Sequence, residues 1–174
     1  MKQFTTLHTE QFGHVLVVTL SRPKKLNAMN SVFWREMTEC FADIKVNATI
    51  RAAVIKGSGK VFTAGLDLSD LDMVIKIINC LKMVMQVPLP NADQARASLP
   101  FMNEVKIMQG AFNAIETCDK PVIAAVHSAC IGAGVDLITA CDIRLCERSA
   151  YFSFREVDIG LCADLGTLQR QVSI

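Results

Sequence analysis

The sequence predicts an α/β domain, on three observations. Short β-branched runs (HVLVVTL at 14–20, IRAAVIK at 50–56, VIAAV at 122–126) alternate with stretches whose apolar residues recur at helical spacing. Small-residue turns mark the junctions between them. The composition, 51% hydrophobic and 20% charged, is that of a chain that buries a core rather than staying disordered. The length, 174 residues, fits one domain over 1–174.

Composition also excludes several roles. A net charge of +1 gives no basic field for nucleic acid. Seven cysteines are scattered without a CxxC or a Cys/His spacing, so neither a metal site nor a disulfide frame is expected. An odd number of cysteines suits a reducing compartment, with most of them small buried apolar groups. The N-terminal MKQFTTLHTEQFGH has no apolar run of a signal peptide, and the terminal QVSI is no peroxisomal address, so no targeting signal is visible. The longest apolar stretch, 71–87, is broken by Asp72, Lys76, Asn79, Lys82 and Gln86, so no membrane span is expected.

The strand at 14–20 ends at Arg22-Pro23. The loop RPKKLNAMN then offers Arg22, Lys24 and Lys25, which by themselves read as a solvated basic turn. Asn30 or Ser31 can cap a helix whose Val32, Phe33, Met37, Phe41 and Ile44 face the core. The strand at 50–56 reads as buried on both faces, and Gly57-Ser58-Gly59 turns the chain. In VFTAGLD (61–67), Ala64-Gly65 permits close backbone approach, and Asp67 reads as a turn residue. From Ser69 to Ser98 the chain is least legible. Its apolar density at 71–87, closed by Pro88 and Pro90, suits a helix over a site, a connector, or a core or dimer surface, and Met73, Met83 and Met85 fit any of these. Phe101, Val105, Met108, Phe112 and Ile115 mark an amphipathic helix with Pro100 at its start, ending at Cys118-Asp119.

The strand 122–126 runs into Gly132-Ala133-Gly134, and a helix opens near Val135 and ends before Asp142. Its start presents unpaired N–H groups and the positive end of a dipole, a place to hold negative charge. Asp136 lies just inside it. Short strands at 143–146 and 151–154 lead to Glu156, Asp158 and Asp164. Plain roles exist for each acid: Asp136 charging a helix start, Asp158 and Asp164 as loop residues. His127 follows a strand and is expected to bond locally.

Three segments in order, VFTAGLDLSDL, CIGAGVDLITACDIRLC and FREVDIGLCADLGTLQR, resemble the enoyl-CoA hydratase/isomerase (crotonase) family and, within it, the dienoyl-CoA isomerases. The similarity runs from about Phe12 to Arg170. It implies a crotonase-like spiral of ββα units that lacks the C-terminal helical trimerisation region, and so a truncated core domain. In the family those helices complete the acyl-CoA pocket and pack a homotrimer or hexamer; without them, apolar surface should be exposed.

The activity implied is the shift of 3,5-dienoyl-CoA to 2,4-dienoyl-CoA in fatty-acid β-oxidation, in mitochondria or peroxisomes. The coenzyme A thioester is the substrate; no separate cofactor and no metal are implied. The resemblance puts an oxyanion hole at the N–H groups of Leu66 and Ala133. Relatives usually carry glycine at the latter position, where alanine keeps the N–H but adds a Cβ near the thioester. It makes Asp164 the base at C2, Glu156 the acid at C6, and Asp136 the neighbour that tunes Glu156. Ile159, Leu161 and Leu165 are expected to supply apolar surroundings. Arg22, Lys24 and Lys25 are brought near the CoA phosphates, and Ala64, Gly65, Asp67, Gly132 and Gly134 join the substrate-binding set. Two alternatives remain: a non-catalytic core that binds CoA weakly or not at all, and an enoyl-CoA hydratase. Hydratases carry glutamates where this chain has Asp136 and Glu156 and lack an acid matching Asp164, which favours isomerisation.

Overall fold

The computed structural model describes residues 2–70, 94–159 and 162–170, without the side chains of 94–98, 101 and 159. Expectations for 71–93, including Met73, Met83 and Met85, and for 171–174 lie outside the described residues.

β1 (Leu7–Phe12) and β2 (Val15–Leu20) form an antiparallel hairpin that turns at Gly13, φ 57°. β1 is not legible in the sequence: it is a polar edge strand on which only Leu7 is buried. β2, β3 (Ala52–Gly57), β4 (Val122–Val126) and β6 (Ile143–Cys146) then pair in parallel, giving the order β1-β2-β3-β4-β6. Alternate residues of β2 (Leu16, Val18, Leu20) and β4 (Val122, Ala124, Val126) are buried in one cluster with α1 (Ser31–Val46) and α2 (Gln94–Glu116). Phe33, Met37, Phe41 and Ile44 of α1 point into it, and Trp34 meets Phe112 of α2 edge to face at 5.6 Å. Asn30 caps α1, its side chain accepting the Phe33 N–H at 3.1 Å.

Two expectations change. β3 is not buried on both faces: Ala53 and Ile55 are fully buried, whereas Ala52 and Val54 are half-buried and Lys56 exposed. Only one side of this strand joins the core cluster. And Pro100 does not start α2 but lies inside it. Gln94, Ala95, Arg96, Ala97 and Leu99 are strong helix formers and carry the helix past the one N–H that proline lacks.

A second, two-stranded parallel sheet joins β5 (Ala129–Ile131) to β7 (Tyr151–Ser153). Single bridges join Thr63 to Cys130 of β5 and Met29 to Leu66. Between β5 and β6 lies α3 (Ala133–Thr139), and α4 (Thr167–Arg170) ends the described chain. The run β4-β5-α3-β6-β7 is thus a coil of strand, short strand and helix, the expected spiral.

At its outer edge, β6 is exposed at all four residues. Ile143, Leu145, Tyr151, Phe152, Phe154 and Val157 leave apolar surface in solvent. No helix among the described residues is long and apolar enough to cross a membrane.

Candidate active site

Two loops meet at the heart of the spiral. The backbone of 62–63 is zipped to that of 127–131: Phe62 N–H donates to His127 O (3.1 Å), Thr63 N–H to Ala129 O (3.1 Å) and Ile131 N–H to Thr63 O (3.1 Å). The glycines make this contact possible. A Cβ on Gly65, which sits at φ +85°, would fall 2.7 Å from Ile131 O, and one on Gly134 would fall 2.3 Å from the Thr63 methyl. Thr63 itself is anchored, its hydroxyl donating to Asn27 O (2.8 Å) and accepting the Gly65 N–H (3.1 Å).

The result brings Leu66 and Ala133 to one cavity of about 240 Å³, with Ala64, Leu68, Ile131 and Gly132. Their neighbours are tied down: Met29 N–H donates to Gly65 O (2.7 Å), Asp67 N–H to Met29 O (2.9 Å) and Gly132 N–H to Ser153 O (2.8 Å). Among the described residues, the N–H groups of Leu66 and Ala133 themselves have no acceptor. Ala133 opens α3 without a positive φ, so alanine sits there unstrained.

Glu156 closes the same cavity. It is buried on a 3₁₀ turn (Glu156–Ile159), and its Oε1 lies 3.0 Å from where a Cβ on Gly132 would stand. Its Oε2 is buried without a hydrogen-bond partner among the described residues. Burial pushes its carboxyl above the usual range; the neighbouring Asp136 and Asp164 push it further, against opposing backbone hydrogen bonds. Asp136, buried on α3, accepts the N–H (2.8 Å) and the hydroxyl (2.5 Å) of Thr167 on Oδ1. Burial raises Asp136 too, with Thr167 and Arg170 opposing. Asp164 is half-buried and raised by burial and by Asp136, against its own backbone hydrogen bond. The loop carrying it is held to α2 by Gln109, whose amide donates to Asp164 O at 2.6 Å. The three acids therefore form one electrostatic cluster, although among them Glu156 lines the cavity and Asp136 and Asp164 do not. Leu165 is buried beside them, while the side chains of Ile159 and Leu161 lie outside the described residues.

Elsewhere the sequence-derived candidates are used differently. Arg22 turns inward: it donates to Asp67 Oδ2 (2.8 Å) and also to Ala28 O. Asp67 is buried and also accepts the Ser69 N–H (3.0 Å) and hydroxyl (2.6 Å). Burial raises this carboxyl, but Ser69 and Arg22 prevail and hold it below the ordinary value. This pair braces the backbone on which Leu66 sits. Lys24 and Lys25 stay exposed, with Lys25 Nζ 3.0 Å from Ser69 Oγ. Asp158 pairs with Arg155 at 2.7 Å in an exposed bridge at the cavity rim. His127 does not bond locally as expected: its Nε2 meets Gly59 O at 3.1 Å, 68 positions back in the chain. The thiols of Cys130 and Cys141 are pushed up to about 12, foremost by burial, and are inert packing groups.

Sequence reasoning overlooked three residues. Asn27, at φ 54°, donates its amide to Ser58 O (2.7 Å), Val61 O (3.0 Å) and Phe62 O (3.1 Å), fixing the basic loop to the first amide loop. Asparagine's tolerance of left-handed backbone was the available signal. Thr63 and Thr167 carried none.

Comparison with known proteins agrees with this fold. The enoyl-CoA hydratase/isomerase family model matches residues 15–170. A human mitochondrial Delta(3,5)-Delta(2,4)-dienoyl-CoA isomerase is 54% identical over 158 residues, covering 90% of this chain and 44% of the relative. A peroxisomal enzyme of the same name from Arabidopsis thaliana is 42% identical over 92% of this chain and 54% of its own length. The chain therefore spans about half the length of the curated relatives it matches. Among solved structures, an enoyl-CoA hydratase from Polaromonas sp. JS666 superposes with a TM-score of 0.76 at 27% identity, over 96% of this chain and 58% of that one. A Thermobifida fusca YX protein solved with acetoacetyl-CoA gives 0.76 at 28% identity, over 97% and 61%. With its family model matched from the second strand to the last described helix, the chain belongs to the enoyl-CoA hydratase/isomerase family.

Proposed function

We propose that the chain carries the catalytic core of a dienoyl-CoA isomerase of fatty-acid β-oxidation, working in mitochondria or peroxisomes, where its named relatives work. One observation carries this reading: Glu156, raised by burial and by Asp136 and Asp164, lines the same cavity as Leu66 and Ala133, whose N–H groups have no acceptor among the described residues. In this reading the thioester oxygen of 3,5-dienoyl-CoA lies against the N–H groups of Leu66 and Ala133. Asp164, as carboxylate, removes a proton from C2, and the C–H electron pair moves into the conjugated system toward that oxygen. Glu156, whose carboxyl is raised foremost by burial and further by its acidic neighbours, delivers its proton to C6. The C3–C4 and C5–C6 double bonds become C2–C3 and C4–C5. One proton leaves carbon and one arrives, so no oxidant or water is consumed. Lys24 and Lys25 are the exposed cations left to meet the CoA phosphates, since Arg22 is paired with Asp67.

The assay is direct: purified chain plus 3,5-dienoyl-CoA, with the absorbance of the conjugated product followed. Turnover lost in Asp164→Asn, by about 100- to 10,000-fold, supports the isomerase. Turnover untouched by it rejects the assignment of the base. Hydration of 2-enoyl-CoA favours the hydratase, and an absence of both turnover and CoA binding favours a non-catalytic core.

A further inference from the structure

Asp136 and Glu156 are buried neighbours with unequal hydrogen-bond surroundings. Oδ1 of Asp136 receives both donors of Thr167, whereas Oε2 of Glu156 receives none among the described residues. A backbone N–H can only donate, so this Asp136 oxygen is an acceptor, and the hydroxyl comes to the same atom. Two donors on one carboxylate oxygen favour the anion.

The fold invests in this contact. Thr167 is fully buried and opens α4. Arg170, at the other end of α4, donates to Glu116 Oε2 (2.7 Å) and Asn113 Oδ1 (2.8 Å) of α2 and to Leu165 O (3.2 Å). Gly166, at φ +116°, turns the chain into α4; a Cβ there would stand 2.0 Å from Arg170 Nη1. Among the described residues, the other charged groups facing the pair are Asp164 from the preceding loop, Arg170 itself, and Arg155 and Asp158 at the rim beside Glu156.

We propose that Thr167 is a positioning residue: by giving both donors to one oxygen of Asp136, it keeps Asp136 the anion and leaves the pair's proton on Glu156. The inference rests on the isomerase reading for its use, because that reading needs Glu156 as the acid. Turnover then falls on the alkaline side as Glu156 ionises. In Thr167→Val the N–H stays and the hydroxyl goes, so Asp136 competes for the proton. The alkaline limb of the kcat profile moves to lower pH by about one unit. Above that limb kcat drops about tenfold, while KM stays within about twofold. Thr167→Ser restores the limb and kcat.

A substrate-free measurement accompanies it: carbon-13 titration of the Asp and Glu carboxyls in the full chain. Asp136 is expected to titrate below Glu156 in the unmodified protein, and the gap to narrow in Thr167→Val. A folded Val variant with an unmoved limb and gap, a Ser variant as impaired as Val, or the reverse titration order in the unmodified chain overturns the proposal. If Val does not fold, the titration order and the Ser variant decide. A chain that keeps the titration order but turns over no dienoyl-CoA sinks the isomerase reading and leaves the role of Thr167 standing.

Discussion

Glu36 and Glu156 are equally hidden, 6% and 8% exposed, and opposite in character. Glu36 projects from α1 to the N-terminal segment. One oxygen accepts the Thr5 N–H (2.7 Å) and hydroxyl (2.8 Å); the other accepts the Thr6 N–H (2.7 Å) and hydroxyl (2.5 Å). Burial pulls this carboxyl up, but the four donors together win and hold it below the ordinary value. Glu156 lines a cavity with one oxygen unpartnered among the described residues, and burial and two acidic neighbours carry it above that value. Burial does not decide what a buried acid does; the donors supplied to it do. A carboxylate with all its lone pairs answered is a clamp. One left partly unanswered beside a cavity is a candidate for moving a proton.

The largest effect expected from this contrast is on turnover. Glu156→Gln keeps the shape and removes the transferable proton, so 3,5-dienoyl-CoA isomerisation should fall about 100- to 10,000-fold. Its melting temperature should stay level, or rise where pH is high enough to ionise Glu156, because the amide cannot ionise and so never incurs the desolvation cost of a buried carboxylate. Glu36→Gln should do the reverse. Turnover per folded molecule stays within about twofold. Stability falls by about 1–3 kcal/mol, because the new amide donors face the donors of Thr5 or Thr6. That corresponds to about 2–4 °C in melting temperature per kcal/mol for a chain of this size. Equal loss of turnover in both folded variants would erase the distinction.

Much of the scaffold behind this contrast was legible. β2, β3, β4 and α1 announce themselves through β-branched runs and helical spacing, and Asn30 is a cap by residue type. β1 and β5 do not: LHTEQF is largely polar, and Ala129–Ile131 is three residues between a strand and a small-residue turn. The glycines at 65 and 134 were readable as places of close approach. What approaches them, the Ile131 carbonyl and the Thr63 methyl, depends on chain brought in from far along the sequence. The same holds for the polar partners. Nothing local to Arg22 says that its guanidinium turns to Asp67, 45 positions on, or that Thr167 reaches back 31 positions to Asp136. Nor does residue type separate Glu36 from Glu156: one glutamate lies on a regular amphipathic helix and the other after a short strand, and only their donors distinguish them.

The smallest effect, and the sharpest in sign, is the pH dependence of stability. Glu36 has a folded value below its ordinary 4.5, so the stability it adds is present above pH 4.5 and is lost as pH falls through the lowered folded value. Glu156 has a folded value above the same 4.5, so its contribution is fully present below pH 4.5 and is lost as pH rises through the raised folded value. Asp136 and Asp164, both raised above 3.8, act in the same sense as Glu156. Urea midpoints measured from about pH 3 to 8 should therefore separate the two sites. Glu36→Gln should flatten the acid side of the curve and leave the neutral side alone. Glu156→Gln should flatten the decline above pH 4.5. Because Asp136 and Asp164 each raise Glu156, its removal should also let Asp136 and Asp164 ionise more easily and weaken the decline they cause. A decline above pH 4.5 that is unchanged in Glu156→Gln would mean that water or a cation answers Oε2, and that Glu156 is a second clamp.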